Sequence, residues 1–380
     1  LDLERVIWDE DFSTAIRLEL DRRGCRRPLV VVSPSCRKAS AEVRDFIESG
    51  TGLICGVFDA IIPHVDRASV IALVEMCRRT KPDLIVTVGG GSPIDTVKVA
   101  LLMMAAGACT DDELTALGIR TSDDGVRLVP FVPASVLRQI VVPTTLAGAE
   151  FSDLAGATDR RSRIKQLFTG KGIGSASVIF DQAITLSTPI QIWLSTGIRA
   201  LDHAVETLCS AGSNPYADAL STEAIGRLAA SLRKSRAHAA DLAARKDAQF
   251  AVWLACVGLN RVPWGASHGI GHQLGAVAQV PHGYCSCILL PHVLAFNKSF
   301  NTERQTAVAR ALGSTDGDAA RAVAQLVADL GLPRRLRDVG VTPDMMSVVA
   351  ETSLENAFVR QNPRPIKTSA DVMQILQHAY

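Results

Sequence analysis

The chain has 380 residues, 47% of them hydrophobic and 21% charged, so it can bury a large core and is not a disordered protein. A formal net charge of +1 leaves no basic surplus for nucleic acid or an anionic membrane surface. No apolar run reaches the roughly 18 residues of a membrane-spanning helix.

Nine cysteines, an odd number without a C-x-x-C pair, read as reduced thiols in a reducing, cytoplasmic setting. Cys285 and Cys287 are spaced wrongly for a zinc knuckle. The arginine clusters 22–23, 160–163 and 334–337 read as solvated surface. The chain begins at Leu1, not Met, which leaves room for a removed leader.

Residues 1–24 read as a strand and an amphipathic helix. Pro28–Val32 is a short β-branched run followed by Ser-Pro-Ser, the pattern of a buried parallel strand ending in a helix cap. A helix over Lys38–Glu48, a strand over Gly52–Phe58, a helix over Ala68–Thr80 and a strand over Asp83–Val88 follow. This alternation predicts a parallel sheet wrapped by helices.

The last of these strands runs into Gly89, Gly90, Gly91, Ser92, Pro93, Ile94 and Asp95, then a helix over Thr96–Ala106. Glycines let backbone N–H groups approach an anion, and a helix N-terminus adds partial positive charge, so this reads as a pyrophosphate cradle with Ser92 as cap. It is neither G-x-G-x-x-G nor a Walker A loop, so a plain glycine turn is the alternative.

Residues 107–138 read as irregular, with 122–125 turn-prone. Ile140–Thr145 is a further strand and loop that places the hydroxyls of Thr144 and Thr145 at a strand end, and Lys165 lies beyond it. Ser177–Phe180 closes this half. From Pro189 the periodicity is helical almost throughout. The expected division is therefore an α/β dinucleotide-binding domain, Rossmann-like with a parallel sheet, over residues 1–187, and an all-α domain over 188–380.

Ser267–Asn297 holds half of the eight histidines. His268 and His272 are four apart and share a helix face. His282 follows beside Gly283, where the chain can turn, and His292 lies further on. Converging imidazoles serve metal binding or proton transfer, although a lone H-x-x-x-H is weak evidence.

GGGSPIDTVK at 89–98, PTT at 143–145, GIRALDHAVE at 197–206 and the stretch from His268 to Gly283 together resemble the iron-containing (group III) alcohol dehydrogenases. TTLAGAEFSD at 144–153 and the LSTP and STGI segments are similar to the maleylacetate reductase branch. The resemblance implies the dehydroquinate synthase-like fold of that family and a homodimer. It also implies hydride transfer between a nicotinamide and a carbonyl or conjugated keto-acid of small size.

By the resemblance, His203, His268 and His282 match the three histidines that bind iron or zinc in metal-dependent members, and His272 matches one near the substrate. The family's aspartate ligand should stand four residues before His203, where this chain has Arg199. Arginine cannot deprotonate and offers no lone pair, so it opposes a cation where an anion was needed. Asp202 lies about 60° around the helix from Arg199 and is a poor substitute ligand. The expectation is catalysis without a metal, with Arg199 orienting a substrate carboxylate or stabilising an oxyanion. His203, His268, His272 or His282 would then provide proton chemistry.

In the first half, Gly89, Gly90, Gly91, Ser92 and Asp95 would hold the pyrophosphate end of the cofactor. Thr144, Thr145 and Lys165 would lie further along it. Ser33 occupies the place where NAD-preferring enzymes often carry an acid, and Arg37 and Lys38 follow, so the expected cofactor is NAD or NADP. The alternatives are a three-histidine metal-dependent alcohol dehydrogenase, a lyase of the wider fold, or a noncatalytic nucleotide-binding protein.

Overall fold

The computed structural model describes every residue except 1, 51, 63–64, 122–126, 160–163 and 260. The turn expected at 122–125 and the arginine cluster at 160–163 lie outside the described residues. The chain divides into two units, Leu1–Thr188 and Pro189–Tyr380.

The first unit opens with β1 (Arg5–Ile7) and α1 (Phe12–Arg23), then β2 (Pro28–Val32), α2 (Pro34–Ala39), α3 (Ala41–Ser49), β3 (Gly56–Phe58), α4 (Arg67–Thr80), β4 (Leu84–Gly89) and α5 (Gly91–Ala106). After α6 (Asp111–Ala116) and a short hairpin of β5 (Arg120–Thr121) and β6 (Arg127–Leu128) come β7 (Gln139–Pro143), β8 (Leu154–Asp159), β9 (Ile164–Thr169) and β10 (Ser175–Ile179). Six strands form one parallel sheet in the order β1-β10-β7-β4-β2-β3.

Its central strands are buried end to end because both faces are covered, which is why they read as unbroken apolar runs. Alternate residues serve opposite layers. Val30 and Val32 pack with Phe12, Ile16, Val43 and Phe46 on the α1 and α3 side. Leu29 and Val31 pack with Val70, Leu73, Val97 and Leu101 on the α4 and α5 side. From β2 the chain goes first to β3 on one side and then to β4 on the other. The crevice at the carboxyl ends of β2 and β4 is therefore the topological switch point, where open α/β sheets bind ligands.

Several sequence expectations shift. The helix expected over Lys38–Glu48 is two helices, because Ser40 adopts an extended backbone and caps α3 through Val43 N–H. The strand expected from Gly52 starts at Gly56. Gly52 has φ +102°, and a turn closes between Gly50 and Ile54. Residues 107–138, expected to be irregular, contain α6 with a Thr110–Glu113 capping box and the short hairpin. Lys165 sits on an antiparallel β8–β9 hairpin, its stem against Gly156, where a Cβ would come 2.4 Å from Lys165 Cε.

The second unit holds ten helices among its described residues. They are α7 (Ile190–Cys209), α8 (Pro215–Ala237), α9 (Leu242–Ala255), α10 (Ala266–Ala278), α11 (His282–Asn297), α12 (Thr302–Ala311), α13 (Ala319–Asp329), α14 (Pro343–Ser353), α15 (Ala357–Arg360) and α16 (Ser369–Ala379). Residues around the whole circumference of α7 are buried, so it runs through the interior of this unit. α10, α11, α14 and α16 share one apolar cluster. No helix among the described residues is long and apolar enough to cross a membrane. The nine cysteines are all thiols.

Candidate functional site

In the first unit the register aligns Val32 with Val88, Val88 with Val142, and Gly89 with Pro143. Ser33, Gly90 and Thr144 therefore emerge together just past the sheet. The ladder continues one step beyond it: Ser33 N–H donates to Val88 O at 3.2 Å and Thr144 N–H to Gly89 O at 3.0 Å.

Two of the three glycines are required, Gly89 by conformation and contact and Gly90 by contact. Gly89 has φ +150°, and a Cβ there would meet Pro93 Cγ at 2.7 Å. A Cβ on Gly90 would meet Thr145 Cγ2 at 2.8 Å and Oγ1 at 2.9 Å. The turn backbone thus runs close against Thr145, and α5 starts there without a side-chain cap, as helix starts that bind anions do.

Two expected roles change. The cap of α5 is Gly90, and Ser92 lies inside the helix, its carbonyl accepting from Thr96 Oγ1 at 2.8 Å. Asp95 faces a buried partner: Lys98 Nζ donates to Asp95 Oδ1 at 3.0 Å, Ala149 O at 2.6 Å and Leu154 O at 3.0 Å. That ammonium ties α5 to the 149–154 segment. Beside it, burial pushes the Glu150 carboxyl up to about 7.

In the second unit, α7 presents Arg199, Asp202, His203 and Glu206, and α10 presents His268 and His272. The join between these helices is Glu206. The N-terminus of α10 has no side-chain cap of its own. Glu206 supplies one, accepting from Gly265 N–H at 3.1 Å, Ser267 N–H at 2.9 Å and His268 N–H at 3.4 Å. The same carboxylate lies 2.7 Å from His268 Nδ1. The opposite nitrogen, Nε2, is buried without a hydrogen-bond partner.

Burial dominates both members of this pair, pushing Glu206 up to about 7 and His268 down to about 3. Burial thus favours the neutral acid and the neutral imidazole over the separated charges. Burial also raises Asp202 to about 6. Burial, then the charges of His268, Arg199 and His272, holds His203 well below its ordinary value.

Aromatic packing fixes the rings. His203 and His268 lie 4.9 Å apart at 25°, and Trp264 lies 4.9 Å from His203 and 4.3 Å from His268. Trp264 is held by its own N–H to Thr207 Oγ1 at 3.3 Å, and His203 Nδ1 stands 3.8 Å from Cys256 Sγ. His282 meets His272 edge-on at 6.0 Å. Gly283 is not a turn. It lies in the first turn of α11, where a Cβ would come 2.8 Å from the Ser195 backbone, so it lets α11 start hard against α7.

The iron or zinc site implied by the resemblance meets an adverse charge here. The positive charge of Arg199 opposes protonation of both imidazoles, and it opposes a dication for the same reason. Among the described residues, the three side chains whose ligand atoms gather within 4.8 Å are Asp202, Glu206 and His268, not the three histidines. There Glu206 is already occupied by three backbone N–H groups and by His268, which leaves it little to offer an ion.

Sequence reasoning missed Glu206 as the partner of His268, and missed Trp264 and Lys98 altogether. The signal for Glu206 was present: it follows His203 by three residues, placing it one turn along α7.

Residues 4–182 match the iron-containing alcohol dehydrogenase family, and residues 193–380 match the C-terminal part of the Fe-containing alcohol dehydrogenase family. The chain is 33% identical over 310 residues to the probable alcohol dehydrogenase EutG of Salmonella typhimurium, covering 80% of this chain and 75% of that protein. It is 29% identical over 382 residues to the maleylacetate reductase of Burkholderia cepacia, covering 100% and 96%. The crystal structure of maleylacetate reductase from Agrobacterium tumefaciens superposes with a TM-score of 0.81 at 26% identity, covering 100% of this chain and 96% of that one.

Proposed function

Starting from the fact that the chain belongs to the iron-containing alcohol dehydrogenase family, and is therefore a dehydrogenase or reductase, we propose that it reduces a small anionic carbonyl compound with a nicotinamide cofactor and without a catalytic metal. The class of substrate is a keto acid, or an alkene conjugated to a carbonyl, of which maleylacetate is the type. The similarity to maleylacetate reductases over essentially the whole chain supports this class.

The observation that carries the proposal is the Glu206–His268 pair beside Arg199. A bound nicotinamide would supply a hydride to the electrophilic carbon, which leaves negative charge on the substrate oxygen. His268 Nε2–H gives its proton to that oxygen. Glu206 replaces it through Nδ1, so the imidazole returns to its neutral form. Arg199 holds a substrate carboxylate or the developing oxyanion, a contribution of several kcal/mol when one charged donor is well placed. His272 and His282 line the same group of rings and shape the substrate's approach. In the first unit, Gly89–Gly91 and Thr145 hold the diphosphate, with Ser33, Thr144 and Lys165 as further cofactor contacts.

A cofactor-oxidation screen over keto acids, aldehydes, simple ketones and maleylacetate tests the reading. Turnover restricted to substrates with a carboxylate is expected. Equal turnover of uncharged aldehydes would remove the role given to Arg199.

A further inference from the structure

We propose that Asp59 sets the choice between NAD(H) and NADP(H) by occupying Arg37. The inference rests on the nicotinamide-dependent reading above and adds to it the residue pair that discriminates the 2′-phosphate.

Ser33 ends β2 at the switch point, and its Cβ and Oγ stand 3.4 and 3.3 Å from where a Cβ on Gly89 would be. The chain leaving β2 therefore lies directly against the diphosphate turn. In a dinucleotide fold this is where the adenosine ribose is read, by an acid that binds the 2′-hydroxyl or an arginine that binds the 2′-phosphate. Ser33 fills neither role, because its hydroxyl accepts from Cys36 N–H at 3.3 Å and caps α2.

Arg37 lies one turn along α2, about 6 Å from Ser33 along the helix axis. Its guanidinium is ion-paired with Asp59. Asp59 follows β3, whose last residue, Phe58, is in register with Val31 of β2. The carboxylate thus stands past the same end of the sheet as Ser33, on the neighbouring strand. Lys38 adds a second exposed positive charge, and Arg44 Nη1 bonds the backbone carbonyls of Arg37 and Lys38 at 3.1 and 2.7 Å.

Both partners of the pair are under half exposed, at 42% and 44% of their side-chain surface, so the pair is wet and can be opened by a stronger anion. A 2′-phosphate must displace the carboxylate and then sit beside it, which penalises NADP(H). A ribose hydroxyl meets no such penalty. Arg37 is a latent phosphate ligand, and Asp59 keeps it engaged.

The test titrates NADH and NADPH into the wild type, Asp59→Asn, and the double variant Asp59→Asn/Arg37→Ala, following nicotinamide fluorescence. The wild type is expected to bind NADH more tightly. Asp59→Asn should lower the ratio of the NADPH to the NADH dissociation constant about tenfold, and the double variant should lose that gain. The inference is overturned if the wild type prefers NADPH, if Asp59→Asn leaves the ratio within twofold, or if the double variant keeps the gain. If neither dinucleotide binds the wild type, the nicotinamide reading itself fails and this inference fails with it.

Discussion

Replacing Glu206 with glutamine tests the proton chemistry with little change of shape. Its oxygen can still accept from Ser267 N–H and its amide can donate to His268 Nδ1 in place of the acid proton, at the cost of the Gly265 and His268 backbone N–H bonds that Oε2 accepts. Nε2 then keeps its N–H, but no proton can follow through Nδ1. Loss of a general acid costs about 10²–10⁴ in rate; at the middle of that range the barrier rises by about 4 kcal/mol.

Stability should change little. Burial raises the Glu206 carboxyl from its ordinary 4.5 to about 7, so its protonated form favours the fold. That contribution is complete below about 4.5 and is lost as pH rises through 7, a change of ~3 kcal/mol. A neutral amide avoids that loss. At pH 8 that gain offsets the two lost N–H bonds, about 1 kcal/mol each, so the Glu206→Gln variant should melt close to the wild type while turning over at least a hundredfold more slowly. Steady-state kinetics paired with thermal melts at pH 8 decide it. Activity within threefold of wild type would refute the relay, and a large fall in melting temperature would show that Glu206 is mainly a cap.

The same pair sets the direction of pH dependence. Reduction needs Glu206 protonated, so kcat/KM for carbonyl reduction should fall as pH rises through about 7, while alcohol oxidation should rise; a flat profile would count against the pair. Arg199→Asp should abolish reduction of an anionic substrate, raise the pH at which His203 and His268 protonate, and create affinity for a divalent ion measurable by elemental analysis; unchanged kinetics would make Arg199 structural. Glu150 is also held up near 7 by burial, so its contribution is present below about 4.5 and lost towards 7. Glu150→Gln should raise the melting temperature at pH 8 and leave it nearly unchanged at pH 4.

The parts of the chain that were legible share one property: their signal is local. Pro28–Val32, Leu84–Gly89 and Gln139–Pro143 announce buried parallel strands because both faces are apolar, and the register then brings Ser33, Gly89–Gly91 and Thr144 to one end of the sheet. The histidine stretch announced chemistry because two imidazoles share a helical face.

Less legible were features made by contacts between distant segments. Glu206 reads as an ordinary helix residue until α10 docks its bare N-terminus on it, 59 to 62 residues away in sequence. Trp264 looks like a core residue until its ring is seen against His203 and His268. Arg37 read only as a positive charge near the cofactor, because Asp59 is brought to it only by the pairing of β2 with β3. The β8–β9 hairpin was missed for a related reason: its order comes from cross-strand pairing and from packing on α5, not from a repeating pattern.

The most direct test of the account is elemental analysis of the purified protein, with activity assayed before and after exhaustive chelation. The account predicts far less than one transition-metal ion per chain and a turnover that chelation leaves intact. One iron or zinc per chain, whose removal abolishes turnover and whose return restores it, would contradict the account.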